Sequence, residues 1–88
     1  MGSAITHKAL ILRKILIEKK DMAKVRAESR HTQQAIDRYL KDYRRVEMLL
    51  DDGKDLLYIC QVTSMSLHLI KQYQNIYREV NNEYKQIA

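Results

Sequence analysis

Three histidines, one cysteine and a short acidic segment are the side chains of this sequence with the greatest capacity for chemistry. His7, His31 and His68 lie far apart along the chain, and none has a second histidine or cysteine at the short spacing of a zinc site. The acidic segment, residues 51–55, lacks the alternating ligands and the distal glutamate of a calcium loop. We therefore predict no metal site, no cofactor and no small-molecule substrate.

Cys60 lies among Leu56, Leu57, Ile59 and Leu67, which is typical of a small core residue and not of a nucleophile. The sequence also contains no glycine-rich phosphate loop. These features predict a protein that is not an enzyme. A single cysteine cannot form an internal disulfide, so we expect an intracellular protein, either cytoplasmic or nuclear.

The composition favours helices. The chain has 88 residues, of which 45% are hydrophobic and 31% charged, and it contains no Pro, Phe or Trp. A chain of this length forms one domain, and its small core is often completed by a second copy or a partner. No apolar run reaches the length of about 18 residues that a membrane span needs.

The chain is expected to fold back at residues 51–55. Gly53 can adopt the left-handed conformation that ends a helix, and Asp52 or Asp55 can cap the next helix. We predict an all-α fold, an antiparallel helical hairpin of two long helices that assembles into a multi-helix bundle or coiled coil. The hairpin domain spans residues 4–88, with helices at about 4–51 and 54–87, whereas residues 1–3 are a cloning remnant or a disordered start.

Two alternatives concern helix continuity. The polar residues 28–32 could break the first helix, with Ser29 or Thr32 capping a new one to give three helices. We favour an unbroken helix, because no Gly or Pro lies there. The second alternative is one continuous helix of about 80 residues through Gly53, in a long parallel coiled coil.

The predicted hairpin leaves one end of the first helix uncovered. Pairing about Gly53 places Ile36 opposite Ile70, Ser29 opposite Tyr77, and Thr32 opposite Tyr73, so that residues 4–17 overhang the second helix by roughly 20 Å. Exposed aliphatic side chains there would forgo about 1.5–3 kcal/mol each, so we expect another helix to cover them. The predicted protein interface consists of Leu10, Leu12, Ile15, Leu16, Ile17, Leu57, Val62, Met65 and Leu69.

The net charge of +5 is concentrated in the first 30 residues, which contain eight basic and three acidic residues. The predicted basic surface consists of Lys8, Arg13, Lys14, Lys19, Lys20, Lys24, Arg26 and Arg30. The favoured function is a non-enzymatic oligomerisation or scaffolding module that binds itself or another helical protein. The alternative is peripheral association with an anionic membrane or with nucleic acid through the basic N-terminal helix. Nucleic acid is the weaker case, because aliphatic residues interrupt the charges and no aromatic residue interleaves them.

Overall fold

The fold is all-α, which confirms the predicted class. The computed structural model describes the backbone of residues 5–87 and the side chains of residues 5–82, and this part contains five helices and no strand. The helices are α1 (His7–Leu16), α2 (Met22–Ser29), α3 (Gln33–Asp51), α4 (Leu56–Thr63) and α5 (Leu67–Ile87). No helix within the described residues is long and apolar enough to cross a membrane. The predicted start, residues 1–3, lies outside the described part.

The prediction of two long helices is wrong, because the chain turns at three further places. Lys19, Arg30 and Ser64 all adopt positive φ angles, of 56°, 60° and 61°, so that each ends a helical path without glycine. The turn between α3 and α4 contains a glycine at this position, Gly53, with φ at 78°. An L-residue with a side chain pays about 1–2 kcal/mol for this conformation. The packing of the helices on either side must therefore compensate for three strained turns.

A polar side chain caps the helix that follows each turn. Asp21 accepts a hydrogen bond from the N–H of Ala23, and Thr32 accepts one from Ala35. Asp55 caps α4 in the same way, and the hydroxyl of Ser66 accepts from the backbone at the start of α5. These caps satisfy N–H groups that no helical carbonyl can reach, and each contributes about 1 kcal/mol.

Ser64→Gly is expected to stabilise the protein by about 0.5–1 kcal/mol, because glycine adopts positive φ without steric penalty. Urea denaturation followed by circular dichroism measures the effect. The control is Gln61→Gly in the exposed interior of α4, where the same new residue is expected to destabilise by about 1 kcal/mol. A loss of stability in Ser64→Gly would contradict the left-handed turn.

Helix α1 lies beside α5 and does not overhang the fold. The hydroxyl and the N–H of Thr6 both donate to the side-chain oxygen of Gln72, and seven residues further along both helices Arg13 forms an ion pair with Glu79. The constant offset shows that the two helices run parallel. The turn after Leu16 makes this placement possible, and it buries Leu12 in the main core. The predicted overhang of residues 4–17 is therefore wrong.

The predicted register between the two halves of the chain is also wrong. The Tyr77 hydroxyl donates to the carboxylate of Asp51, which accounts for the raised pKa of this tyrosine, and does not face Ser29. Tyr73 packs edge-on against Tyr43, with the ring centroids 5.9 Å apart. Asp51 follows Tyr43 along α3, and its partner Tyr77 follows Tyr73 along α5. The two helices therefore run in the same general direction. The turn at Ser64 reverses the chain once more after the turn at Gly53, which explains this orientation.

Tyr73→Phe is expected to raise stability by about 1 kcal/mol, because the buried Tyr73 hydroxyl has no hydrogen-bond partner among the described residues. Burial also raises the pKa of Tyr73 and of Tyr43, where the carboxylate of Glu47 adds to the effect. Both phenols thus stay protonated above the unfolded pKa of about 10, and stability falls as the pH rises beyond that value. Urea titrations at pH 7 and 11 measure both effects. Between pH 7 and pH 11, the free energy of unfolding should fall less in Tyr73→Phe than in the wild type. The control Tyr58→Phe, at an exposed site, should match the wild type.

Candidate functional site: a duplicated helix-turn-helix

Helices α2 and α3 are joined in the same way as helices α4 and α5. Both α2 and α4 have 8 residues, and each ends at a residue in the left-handed conformation, Arg30 (φ 60°, ψ 23°) and Ser64 (φ 61°, ψ 22°). A three-residue turn and a capping hydroxyl then lead into the longer helix. Because Arg30 corresponds to Ser64, the repeat is 34 residues long. A short helix, a tight turn and a longer helix form a helix-turn-helix unit.

The two units share the hydrogen bonds that close the short helix. Ser29 donates its hydroxyl to the carbonyl of Val25 at 2.7 Å, and Thr63 donates to Ile59 at 2.6 Å. Each hydroxyl also accepts an N–H from the second residue after it, at 3.3 Å in both units. A hydroxyl that satisfies both a helix carbonyl and a turn N–H stabilises the tight turn. The similarity thus extends to the atoms that make the turn.

The core consists of two clusters, a small one formed by α1, α2 and α3 and a larger one formed by α1, α3, α4 and α5. Ile11 from α1, Val25 from α2 and Ile36 from α3 form one buried cluster. At the positions of Val25 and Ile36 in the second unit lie Ile59 and Ile70, which pack in the other cluster. The larger cluster also contains Leu12 from α1 and Val46 from α3, so α1 contributes to both clusters. Helix α3 therefore belongs to the first unit and also packs in the core of the second.

Helix α3 presents an exposed polar face along its first three turns. The face consists of Gln34, Asp37, Arg38, Lys41, Arg44 and Arg45. These residues recur at intervals of three and four, so their side chains lie on one side of the helix. Arg38, Lys41, Arg44 and Arg45 form no ion pair or hydrogen bond with any described residue. The α3 face thus carries four uncompensated positive charges near one carboxylate.

The corresponding α5 face has a different composition. Its exposed residues are His68, Lys71, Asn75 and Arg78, which occupy the positions of Gln34, Asp37, Lys41 and Arg44 in the repeat. Gln72 lies at the position of Arg38, but it is half-buried and bonded to Thr6. Its amide nitrogen also lies 2.9 Å from the His68 ring. The α5 face is consequently less basic than the α3 face.

The first turns of α1, α3 and α5 lie at the same end of the molecule. Thr6 is bonded to Gln72, and the Lys8 ammonium lies 5.7 Å from the centre of the Tyr39 ring. The His7 ring lies 6.2 Å from the ring of His31, in the turn before α3. The start of α1 is therefore adjacent to the starts of both longer helices. Both polar faces begin at one end of the domain and can meet one ligand together.

The predicted protein interface is split by the fold. Leu12 is completely buried, while Ile15, Leu16, Ile17, Met65 and Leu69 are half-buried and pack against the two clusters. Leu10, Leu57 and Val62 stay exposed, to 43%, 68% and 45%. Leu57 and Val62 lie on α4, and Val62 lines a groove together with Met48 of α3, which is 70% exposed. Met48, Leu49 and Val62 line an open groove of about 390 Å³ that is bordered by Arg45, Asp51 and Asp52.

The predicted basic surface is partly neutralised. Arg13 pairs with Glu79, and Glu28 accepts hydrogen bonds from Lys14 at 3.2 Å and Lys20 at 3.3 Å. These bonds lower the pKa of Glu28 and raise that of Arg13. Lys8 contacts Tyr39, whereas Lys19, Lys24, Arg26 and Arg30 stay exposed and without an ion pair among the described residues. The basic residues of α3, which the prediction left out, are the more exposed group.

Cys60, His7 and His31 are the remaining residues of the described part that the sequence singled out for their chemistry. Cys60 has a free thiol that packs against the main cluster. No group of three His, Cys, Asp or Glu side chains among the described residues comes close enough to hold a metal ion. His7 and His31 instead contact each other, and His31 also packs edge-on against Tyr39 at 5.7 Å.

Two consecutive helix-turn-helix units, α2–α3 and α4–α5, define the class of this fold, a tandem helix-turn-helix. The chain belongs to the family described as proteins of unknown function DUF1670, whose model matches residues 1–76. The matched segment includes the whole first unit together with α4 and the start of α5. No curated protein and no solved structure matches the chain.

Proposed function

We propose that this protein binds double-stranded DNA through its two helix-turn-helix units, with the exposed face of α3 in the major groove. The observation that carries the proposal is the duplicated tight turn, which in each unit leads into a longer helix with an exposed polar face. In helix-turn-helix proteins, the second helix lies in the major groove and its first residues contact base edges. The proposed function is non-enzymatic binding.

The chemistry of the α3 face suits this ligand. Arg38, Lys41 and Arg44 carry charges that no described carboxylate neutralises, so they are available to phosphate oxygens. Gln34, in the first turn, offers both a donor and an acceptor to a base edge. The α2–α3 turn adds Arg30, exposed next to the start of α3. Phosphate contacts position the protein, and contacts from the first turns of α3 read the bases.

The basic first helix is a weaker candidate for this binding than α3. Arg13 and Lys14 in α1 both form ion pairs within the fold. Leu12 and Ala9 are buried in the core, so α1 does not offer its apolar side to a lipid surface either. We therefore propose DNA over an anionic membrane as the acidic partner.

Fluorescence anisotropy with a labelled 20-base-pair duplex tests the proposal. At about 50 mM salt we expect clear binding, with an affinity that falls steeply and linearly on a log–log scale as salt increases. Anionic phosphatidylserine vesicles at the same salt serve as the comparison and should bind more weakly. The proposal fails if tens of micromolar protein does not bind the duplex at low salt, or if the vesicles bind better.

A second copy of the chain is the second candidate partner. It would keep the oligomerisation predicted from the sequence, now on the groove lined by Met48, Leu49 and Val62. Arg45 and Asp52 both line this groove and lie seven residues apart along α3 and its C-cap, so two antiparallel copies would bring opposite charges together. Sedimentation velocity of wild type and Val62→Gln tests this candidate. If the wild type and the variant both sediment as monomers at tens of micromolar protein, this candidate is excluded.

A further inference from the structure

We propose that the two units have different roles on DNA: α3 reads the base sequence, whereas α5 supports binding without reading bases. This inference rests on the proposed function. It follows from comparing the same positions in the two units. Because the turns share their backbone geometry and hydrogen bonds, a difference in contacts reflects a difference in role.

The clearest difference is between Arg38 and Gln72, which occupy the same position in the repeat, in the second turn of the longer helix. Gln72 accepts two hydrogen bonds from Thr6, one from the N–H and one from the hydroxyl, both at 3.0 Å. Arg38 is exposed and has no hydrogen bond or ion pair with a described residue. On α3 this position is thus free to contact a base. On α5 the side chain at the same position instead holds α1 in place.

The start of α1 also covers one side of the α5 face. Ile5 and Ala9 line a small cavity together with Gln72, Asn75 and Ile76. Helix α1 meets α3 through Tyr39, which lies about 140° around the helix from Gln34, at 100° per residue. The face that carries Gln34, Arg38 and Lys41 is therefore left open. A duplex could approach α3 closely, while α1 restricts approach to the middle of the α5 face.

The open positions on α3 have the side chains that distinguish bases. An arginine at position 38 can donate two hydrogen bonds to O6 and N7 of guanine, and a glutamine can form two bonds with adenine. Gln34 and Arg38 are one helical turn apart on the same side, so they would reach neighbouring base pairs. On α5, Lys71 and Arg78 remain exposed and can contact phosphates, which carry no sequence information. We infer a short recognition sequence that contains a guanine read by Arg38.

Selection of bound duplexes from a pool with a randomised central segment tests the inference. The wild type should enrich a short motif that contains a guanine. Arg38→Ala should lower the preference for that guanine about tenfold or more, while still binding DNA in a salt-dependent way. Lys71→Ala, an exposed residue of the second unit, should bind all duplexes more weakly and select the same motif. Gln72→Ala is the matched partner of Arg38→Ala and should also select the same motif.

The outcomes separate this inference from the proposed function. If wild type binds duplexes but enriches no motif, or if Lys71→Ala changes the selected bases while Arg38→Ala does not, the division of roles is wrong although DNA binding stands. If wild type binds no duplex at low salt, the proposed function itself is wrong. Loss of binding in Gln72→Ala together with a lower melting temperature would report on the α1–α5 contact, and Lys71→Ala then decides the role of α5.

Discussion

Arg38→Glu combined with Lys41→Glu is expected to weaken DNA binding at least 100-fold at about 0.1 M salt. Two phosphate or base contacts are lost, and two negative charges then face the duplex. The slope of log affinity against log salt should also fall by about 2, because fewer counterions are released on binding. Anisotropy titrations of a duplex at four salt concentrations provide both quantities.

The matched control is Lys19→Glu combined with Lys54→Glu. It makes the same change in net charge, but the two lysines lie in the turns after α1 and α3, far from the helix starts that would meet the duplex. We expect a loss of less than about fivefold, because charges beyond a Debye length of about 10 Å are largely screened. Equal losses in the two double variants would mean that the protein binds DNA only through its overall charge.

Leu12→Ala is expected to reduce the free energy of unfolding by about 2–5 kcal/mol, a large share of the stability of a domain this size. Leu12 is 0% exposed and packs in the main cluster with residues from α3, α4 and α5. Removing it leaves a cavity where the two units join. Urea denaturation followed by circular dichroism should show an earlier midpoint with the slope retained.

Leu10→Ala provides the control on the same helix. Leu10 is 43% exposed, so we expect a change of about 0.5 kcal/mol or less. If a second copy covered α1, as the overhanging hairpin requires, both variants would shift the midpoint, and the shift would depend on protein concentration. The fold instead predicts two unequal effects that are independent of concentration.

The turn at Gly53 could be predicted because a glycine and flanking aspartates signal it directly. Helix α3 ends at Asp51, and Asp55 caps α4. The turns at Lys19, Arg30 and Ser64 carry no such signal, since the left-handed residue has a side chain in each. The capping residues were the available evidence, but Ser, Thr and Asp are common in helix surfaces as well. Thr63 and Ser66 lie in the middle of the predicted second helix, at the point where α4 ends and α5 begins.

The repeat was hidden by its low internal identity. Ile36 and Ile70 correspond, as do Tyr39 and Tyr73, but most exposed positions differ. The prediction of one helix at about 54–87 passes through the turn at Ser64 as though the helix continued, and it joins α4 and α5 into one element. The available signal is the match between residues 34 positions apart, which a comparison of the chain with itself would find.

The candidate site could not be found from charge alone. Counting charges along the chain points to the first 30 residues, where acidic partners on other helices neutralise Arg13 and Lys14. Residues 33–51 are neutral overall, so Arg38 and Lys41 attract no attention in the sequence. Their importance depends on which side of α3 is exposed, and only the packing of α1 and α2 against its other side determines that.

The most direct test of the central claim is an NMR titration of the ¹⁵N-labelled protein with a short DNA duplex at low salt. The account predicts that the largest chemical-shift changes fall on the backbone amides of residues 30–44, the α2–α3 turn and the first turns of α3. Changes confined to α4 and the end of α3, or no changes at all, would contradict it.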